Sequence, residues 1–384
     1  MRWQYVLVVP ETKGKKDCEI GYLYGETNNY VRDTCNSKEK IAAFDLDQTL
    51  IKTKSNKKFP LNSDDWIWEY PNVKTVLNEF HLQKYSLIII TNQAGIKSSE
   101  LKMEEFKTKI QNIESDIKKT HENLSFRIFC AVHKDIHRKP YPTFLDNFAI
   151  DRTTSFYCGD GAGRKNDHTS ADIKFAYNVG IQFRTPENVF LNDTNSLGIL
   201  EYSIDSLSEE ITNSKPYVYK VNKDHKPELI IMVGLPASGK SSVREEIIKN
   251  VHTIDVINLD TVKLKTTMMN MIEASVNHNN SLIVDNTNLD IETRSGLIKM
   301  VKDINNDYYV RIIHVDMPFE RCLHNNFYRY YMNYKEVKLI PSVVYKMMLK
   351  KFVEPKLSEN ALIDKIDVVK PSAPTNYKYL YYFY

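Results

Sequence analysis

Leu229-Ile230-Ile231-Met232-Val233-Gly234-Leu235-Pro236-Ala237-Ser238-Gly239-Lys240-Ser241 reads as a buried strand running straight into a loop that wraps phosphates. Gly234 and Gly239 let backbone N–H groups come close to phosphate oxygens, Lys240 reaches the outer phosphates, and the Ser241 hydroxyl is the expected magnesium ligand. Ser238 and Ser242 complete the nucleotide-binding set, and the chain from Val243 to Lys249 continues as a helix whose N-terminus faces the anion. With only 12 glycines in 384 residues, this spacing behind an apolar run is a specific signal for an ATP-using kinase or ATPase. The ligand-free alternative is an ordinary strand-to-helix turn.

Outward from that loop, Thr253 to Leu259 alternates and ends in Asp260, while Ser281-Leu282-Ile283-Val284 ends in Asp285. Both acids fall at strand ends, on the rim that carries the phosphate loop. A hydroxyl nucleophile needs a base within hydrogen-bond reach, and phosphoryl transfer otherwise needs positioning and cations. Asp285 reads equally as a group orienting magnesium waters or as a structural partner of nearby backbone.

A second motif lies near the other end. The apolar run Ile41-Ala42-Ala43-Phe44 enters Asp45-Leu46-Asp47-Gln48-Thr49-Leu50, which sets two carboxylates on one side of an extended segment. Unlike surroundings can divide such a pair into a nucleophile, Asp45, and a proton donor, Asp47. A carboxylate approaches a phosphate dianion only where cations offset the repulsion, so magnesium and a lysine are expected. Candidates follow further apolar runs: Thr91-Asn92 after Ser86 to Ile90, then Arg138-Lys139-Pro140, then Gly159-Asp160-Gly161 after Phe156-Tyr157-Cys158.

These four segments resemble the motifs of the haloacid dehalogenase superfamily of phosphatases. The resemblance implies that Asp45 becomes phosphorylated, Asp47 is acid and base, Thr91, Asn92 and Lys139 hold the phosphate, and Asp45, Asp47 and Asp160 surround magnesium. The order of the two modules, with Tyr70-Pro71-Asn72-Val73, Thr91-Asn92-Gln93-Ala94-Gly95-Ile96 and Asp285-Asn286-Thr287-Asn288, is similar to the eukaryotic-type polynucleotide kinase 3'-phosphatase family over roughly residues 40 to 370. Membership would imply removal of 3'-phosphate, transfer of the ATP γ-phosphate to a 5'-hydroxyl with Asp260 as base, and Mg2+ and ATP as cofactors. Fewer than fifty residues precede Asp45, too few for the amino-terminal phosphopeptide-binding domain of the animal enzymes.

The segment Phe319 to Arg329 resembles the family's arginine-bearing lid, with Arg329 as first candidate for a catalytic cation and Arg321 as second. Leu259, Leu323 and Phe327 stand where the family carries Arg, which motivates an alternative: a nucleic-acid-end binding protein whose kinase has decayed. A small-molecule phosphatase fused to an unrelated kinase is the other alternative.

Strands alternating with helices in both halves imply an α/β chain of two doubly wound domains with parallel sheets. The expected division is a phosphatase domain over 1–204, a linker over 205–226, a kinase domain over 227–370 and a tyrosine-rich tail over 371–384. Leu101, Phe106, Ile110, Ile113 and Ile117 recur at helical intervals behind Ser98 or Ser99 as cap. Apolar runs are too short for a membrane span, and five cysteines without metal-ligand spacing read as reduced thiols of an intracellular protein, nuclear or cytoplasmic. A net charge of +3 neither demands nor excludes nucleic acid. The expected partners are DNA or RNA ends and a ligase, with the chain itself monomeric. The basic loop Lys52 to Lys58 is expected at the phosphatase entrance, and Lys13 to Lys16 is too short for a nuclear signal.

Overall fold

The computed structural model describes residues 1–8, 20–30, 38–96, 99–146, 148–200, 217–251, 253–333, 336–371, 374 and 376–383. Cys18, Cys35, Ser98, Tyr334, Lys335, the short basic run at 13–16 and linker positions 205–216 lie outside them. The chain divides into two compact units, one of Met1–Ile204 with Leu380–Tyr384 and one of Asp205–Tyr379.

The first unit runs β1 (Arg2–Val8), β2 (Ile20–Glu26), β3 (Ile41–Phe44), β4 (Ile51–Lys52), β5 (Ile67–Trp68), α1 (Val73–Leu82), β6 (Ser86–Asn92), α2 (Glu100–Lys118), β7 (Phe126–Ala131), β8 (Phe156–Cys158), α3 (Ala171–Val179), β9 (Gln182–Arg184) and α4 (Pro186–Phe190). Its main sheet has the order β1-β2-β7-β6-β3-β8-β9, parallel from β7 to β9. Strands β1 and β2 add an antiparallel pair at the edge, beyond the parallel strands that the sequence pattern implies. Continuous apolar runs suit the inner strands because both faces are covered. In β6, Leu87 and Ile89 enter one core with Phe106 and Ile110, while Ile88 and Ile90 enter the other with Phe175 and Tyr157.

Helix α2 starts at Ser99, whose hydroxyl accepts from the Lys102 backbone N–H and so satisfies one orphan donor of the first turn. Phe106, Ile110, Ile113 and Ile117 form its buried face. Leu101 departs from expectation: it is 70% exposed, because the first turn of α2 lies beyond the core.

The second unit runs β10 (Glu228–Val233), α5 (Lys240–Asn250), β11 (Ile254–Ile257), α6 (Leu259–Val262), α7 (Lys265–Asn277), β12 (Ser281–Val284), α8 (Ile291–Ile304), β13 (Tyr309–Val315), α9 (Phe319–Met332), α10 (Ser342–Lys351) and β14 (Lys365–Val369). Its sheet is parallel throughout, in the order β11-β12-β10-β13-β14. Residues 217–226, read from sequence as linker, pack into this unit. Tyr219 and Asn222 are buried and donate to the carboxylate of Glu228, which also pairs with Arg311. Their periodicity is too short to register as an element, yet these side chains satisfy a buried charge.

In both units the first parallel strand is flanked on either side by later ones, β3 by β6 and β8, β10 by β12 and β13. The winding direction reverses there, and in open parallel sheets the crevice beyond such a strand end is where ligands bind. The tyrosine-rich end of the chain is packed: Tyr379 is buried in the second unit, and Tyr382 and Phe383 in the first, where the Asn178 amide exchanges hydrogen bonds with the Tyr382 backbone. Among the described residues, no helix is long and apolar enough to cross a membrane.

Candidate active sites

Asp45 follows β3 directly, and its backbone N–H donates to the Cys158 carbonyl of β8 at 2.8 Å, so the sheet itself anchors it. The ammonium of Lys139 meets three groups: Asp45 at 2.8 Å, Asp172 at 2.7 Å and the Tyr157 hydroxyl at 2.7 Å. Tyr157 passes its own proton toward the Ile90 carbonyl at 3.0 Å. Burial works against the charge on Lys139, but Asp172 and Asp45 outweigh it and hold the ammonium above its ordinary range.

Three carboxylates converge here, since Asp45, Asp160 and Asp172 bring oxygen atoms within 4.8 Å of one another. Burial, reinforced by the other two acids and opposed by Lys139, pushes the Asp45 carboxyl well up. Asp160 is raised to about 6, by burial first and Asp172 next. One lysine does not neutralise three acids, and a cluster of hard oxygen donors with excess negative charge fits a magnesium ion.

Asp47 stands outside that cluster. Its half-exposed carboxylate accepts from Gln93 and lies 3.6 Å from the buried ammonium of Lys109 on α2. Gln93 also donates to the buried Thr91 hydroxyl at 3.1 Å, which links the acid to the phosphate-binding candidate. The Asn92 side chain brackets Lys139, accepting from its N–H at 2.9 Å and donating to its carbonyl at 3.3 Å. Asn92 therefore acts on the backbone of Lys139. The basic loop after β4 is braced from within: Asp65 accepts from Ser55 N–H and hydroxyl and from Leu61 N–H.

Sequence reasoning missed Asp172, Tyr157, Lys109 and Gln93. Asp172 lies in the first turn of α3, where an acid is ordinary by helix-dipole chemistry, so nothing in its local pattern marks it. Lys109 did carry a signal, a charged residue set among the core-facing Phe106, Ile110 and Ile113 of α2.

In the second unit, a cavity of about 1490 Å³ opens at the end of β10 and is lined by Lys240, Asp260, Asp285, Arg321, Asn325 and Arg329 among others. Gly239 has φ +97° at the N-cap of α5, a conformation that suits glycine, and Ala237 is held at φ +56°. Lys240 folds back onto its own loop, donating to the carbonyls of Gly234 at 3.0 Å and Leu235 at 2.7 Å. Burial lowers its pKa to about 8. The Ser238 hydroxyl is buried and makes no hydrogen bond among the described residues, whereas Ser241 and Ser242 are exposed at the start of α5. Amide groups at a helix N-terminus, a lysine and an orphaned hydroxyl together fit a polyphosphate.

Asp260 sits on α6, its N–H capped by the Asn258 side chain at 2.7 Å, and its carboxylate is exposed. Asp285 is buried and receives the Arg244 guanidinium at 2.7 Å. Arg244, one turn into α5, was not anticipated from sequence. On α9, Arg321, Asn325, Tyr328 and Arg329 share the cavity-facing side, spaced as one helical stripe. Arg329 donates through Nη2 to Asn326 Oδ1 at 3.2 Å, and its Nε has no hydrogen-bond partner among the described residues. Leu323 and Phe327 are absent from the cavity lining, so their lack of charge leaves that stripe intact.

Residues 40–190 match the family model described as polynucleotide kinase 3 phosphatase, and residues 229–355 match one described as an AAA domain. The chain is 33% identical over 327 residues to a Schizosaccharomyces pombe protein described as a bifunctional polynucleotide phosphatase/kinase, spanning 84% of this chain and 78% of that one. It is 32% identical over 394 residues to a protein of Acanthamoeba polyphaga mimivirus assigned provisionally to the same description, spanning 90% and 89%. A polynucleotide 3'-phosphatase of Arabidopsis thaliana is 37% identical over 183 residues, 43% of this chain and 26% of that one.

Proposed function

The chain belongs to the bifunctional polynucleotide phosphatase/kinase family, and on that premise we propose that it heals broken nucleic-acid ends, taking phosphate from the 3' side and placing phosphate on the 5' side. The observation that carries this reading is the pairing of Asp45 with Lys139 at the reversal point of one sheet and the Lys240 loop at the reversal point of the other.

In the first unit, the Asp45 carboxylate attacks the terminal phosphorus while the bond to the 3' oxygen breaks. Asp47 gives its proton to that oxygen. It then takes a proton from the water that attacks the aspartyl-phosphate, which releases inorganic phosphate and restores Asp45. Asp47's half-exposed position, outside the acidic cluster, suits a group that must meet water. Lys139 and Thr91 are the phosphate partners, with Asn92 holding Lys139 in place. Asp45, Asp160 and Asp172 would hold magnesium, which when bound offsets the charge of these acids and of the phosphate.

In the second unit, Asp260 accepts the proton of the 5'-hydroxyl as its oxygen bonds to the γ-phosphorus of ATP and ADP departs. Lys240, Arg329 and Arg321 supply positive charge, and Ser241 and Asp285 would hold magnesium. A binding module with a decayed kinase is disfavoured by the arginine stripe on α9.

The test is a nicked DNA duplex with 3'-phosphate and 5'-hydroxyl, magnesium and γ-labelled ATP, run with Asp45→Ala and Lys240→Ala and repeated on RNA. Each substitution should abolish one activity and spare the other. Release of 3'-phosphate without any 5' labelling on either nucleic acid would retire the kinase half of the reading.

A further inference from the structure

The short turn Tyr377–Leu380, which belongs to the second unit as far as Tyr379, brings the Tyr379 side chain into the wall of the kinase cavity. Tyr379 is fully buried there. The Arg321 guanidinium stands 4.8 Å from its ring centre, and the rings of His324 and Tyr328 meet it edge-on at 4.9 and 5.0 Å. Cation–ring attraction strengthens when both partners leave water, so this contact orients Arg321 as well as burying it. His324 is pushed down to about 4 by burial and is neutral, and its Nε2–H donates to the Tyr379 carbonyl at 2.6 Å.

The hydroxyl of the same tyrosine donates to Asn325 Oδ1, and Asn325 Nδ2 donates to the Ala237 carbonyl at 2.8 Å. The two ends of the amide are therefore assigned: the carbonyl oxygen faces Tyr379 and the NH2 faces the phosphate loop. Turned over, Asn325 would set its oxygen against the Ala237 carbonyl. Ala237 is a non-glycine residue in the left-handed region, φ +56°, which persists only where its surroundings over-determine it. Tyr345 holds the preceding residue, donating to the Pro236 carbonyl at 3.1 Å.

We propose that Tyr379 is a positioning residue of the kinase: through Asn325 it fixes the phosphate-loop backbone at Ala237, and through its ring it holds Arg321 toward the cavity. The inference rests on the reading of the second unit as an ATP-dependent kinase. It assigns the tyrosine-rich chain end a part in the site.

Tyr379→Phe removes the hydroxyl and keeps the ring. Its expected effect is an ATP Kd, measured by calorimetry with magnesium, weaker by about three- to tenfold, the contribution of one buried hydrogen bond. The KM for the 5'-hydroxyl strand and the 3'-phosphatase rate of the same molecules should stay unchanged. Asn325→Ala should reproduce the ATP effect, and the double variant should be no worse than Asn325→Ala alone. Tyr379→Leu should add a loss of kcat, because Arg321 loses its ring. An ATP Kd for Tyr379→Phe equal to wild type, or multiplied effects in the double variant, overturns the proposal. Should Tyr379→Leu fail to fold, the volume-conserving Tyr379→Phe and the cycle with Asn325 still decide it. A wild-type protein that binds ATP yet transfers no phosphate would retire the kinase reading, and the Kd comparison would still test Tyr379.

Discussion

Lys240 carries its charge where burial opposes it, and it donates its protons to the carbonyls of Gly234 and Leu235. Binding a polyanion requires the ammonium form. With a free-state pKa of about 8, the charged form dominates below that pH and is lost above it, so ATP binding must take up a proton at alkaline pH. Calorimetric titrations should find ATP about tenfold weaker at pH 9 than at pH 7, the ratio of charged fractions on either side of the pKa. The heat should also depend on the buffer's ionisation enthalpy. A flat affinity across that range would mean that the lysine keeps its proton throughout. In the other unit the balance goes the other way, since burial opposes the charge on Lys139 but Asp172 and Asp45 hold the ammonium above its ordinary range. Asp45, Asp47, Lys139 and Lys240 were legible because each follows an apolar run. Asp172 was not, because its partners come from β8 and from the loop bearing Lys139, far away in sequence.

The elements that carry the chemistry are short and their ends do the work. Strand β10 stops at Val233, just before Gly234, and α5 begins only after Gly239 has turned through φ +97°. A Cβ at position 239 would lie 2.8 Å from Pro371 Cγ as well as in a backbone region that costs an L-residue roughly 1–2 kcal/mol. Gly239→Ala is therefore expected to lower 5'-kinase activity at least tenfold in a labelled-phosphate assay while 3'-phosphatase activity stays at the wild-type level. Equal loss of both activities would place the damage in folding rather than in the loop. Helix α2 shows how far periodicity reaches: its buried face at Phe106, Ile110, Ile113 and Ile117 follows from spacing, and Ser99 caps it. The exposure of Leu101 does not follow from spacing, and spacing sets Lys109 on the buried face without naming its partner Asp47, because both depend on what stands opposite.

At the scale of the whole molecule, each site is built from residues of a single unit, so a ligand of one should report on that unit. ATP at about 100-fold over its Kd should stabilise the wild type by ~2.7 kcal/mol against unfolding, by mass action on the folded state. The same thermal-shift measurement should give that increment for Asp45→Ala and little of it for Lys240→Ala. An ATP shift lost in Asp45→Ala would show that the nucleotide also uses the first unit. The sequence by itself determined the two α/β units, the strands that lead to Asp45 and to the phosphate loop, and the resemblance to an end-healing family, because apolar runs and glycine spacing are local properties of a chain. Only the tertiary structure decided that Asp172 and not the Asp47 side chain joins the acidic cluster, that residues 217–226 pack beside Glu228, and that Tyr379 reaches Asn325 behind the phosphate loop. The Asp172–Lys139, Glu228–Arg311 and Tyr379–Asn325 contacts join residues distant along the chain, and their energies come from burial and paired charge, which exist only once the sheets have brought the partners together.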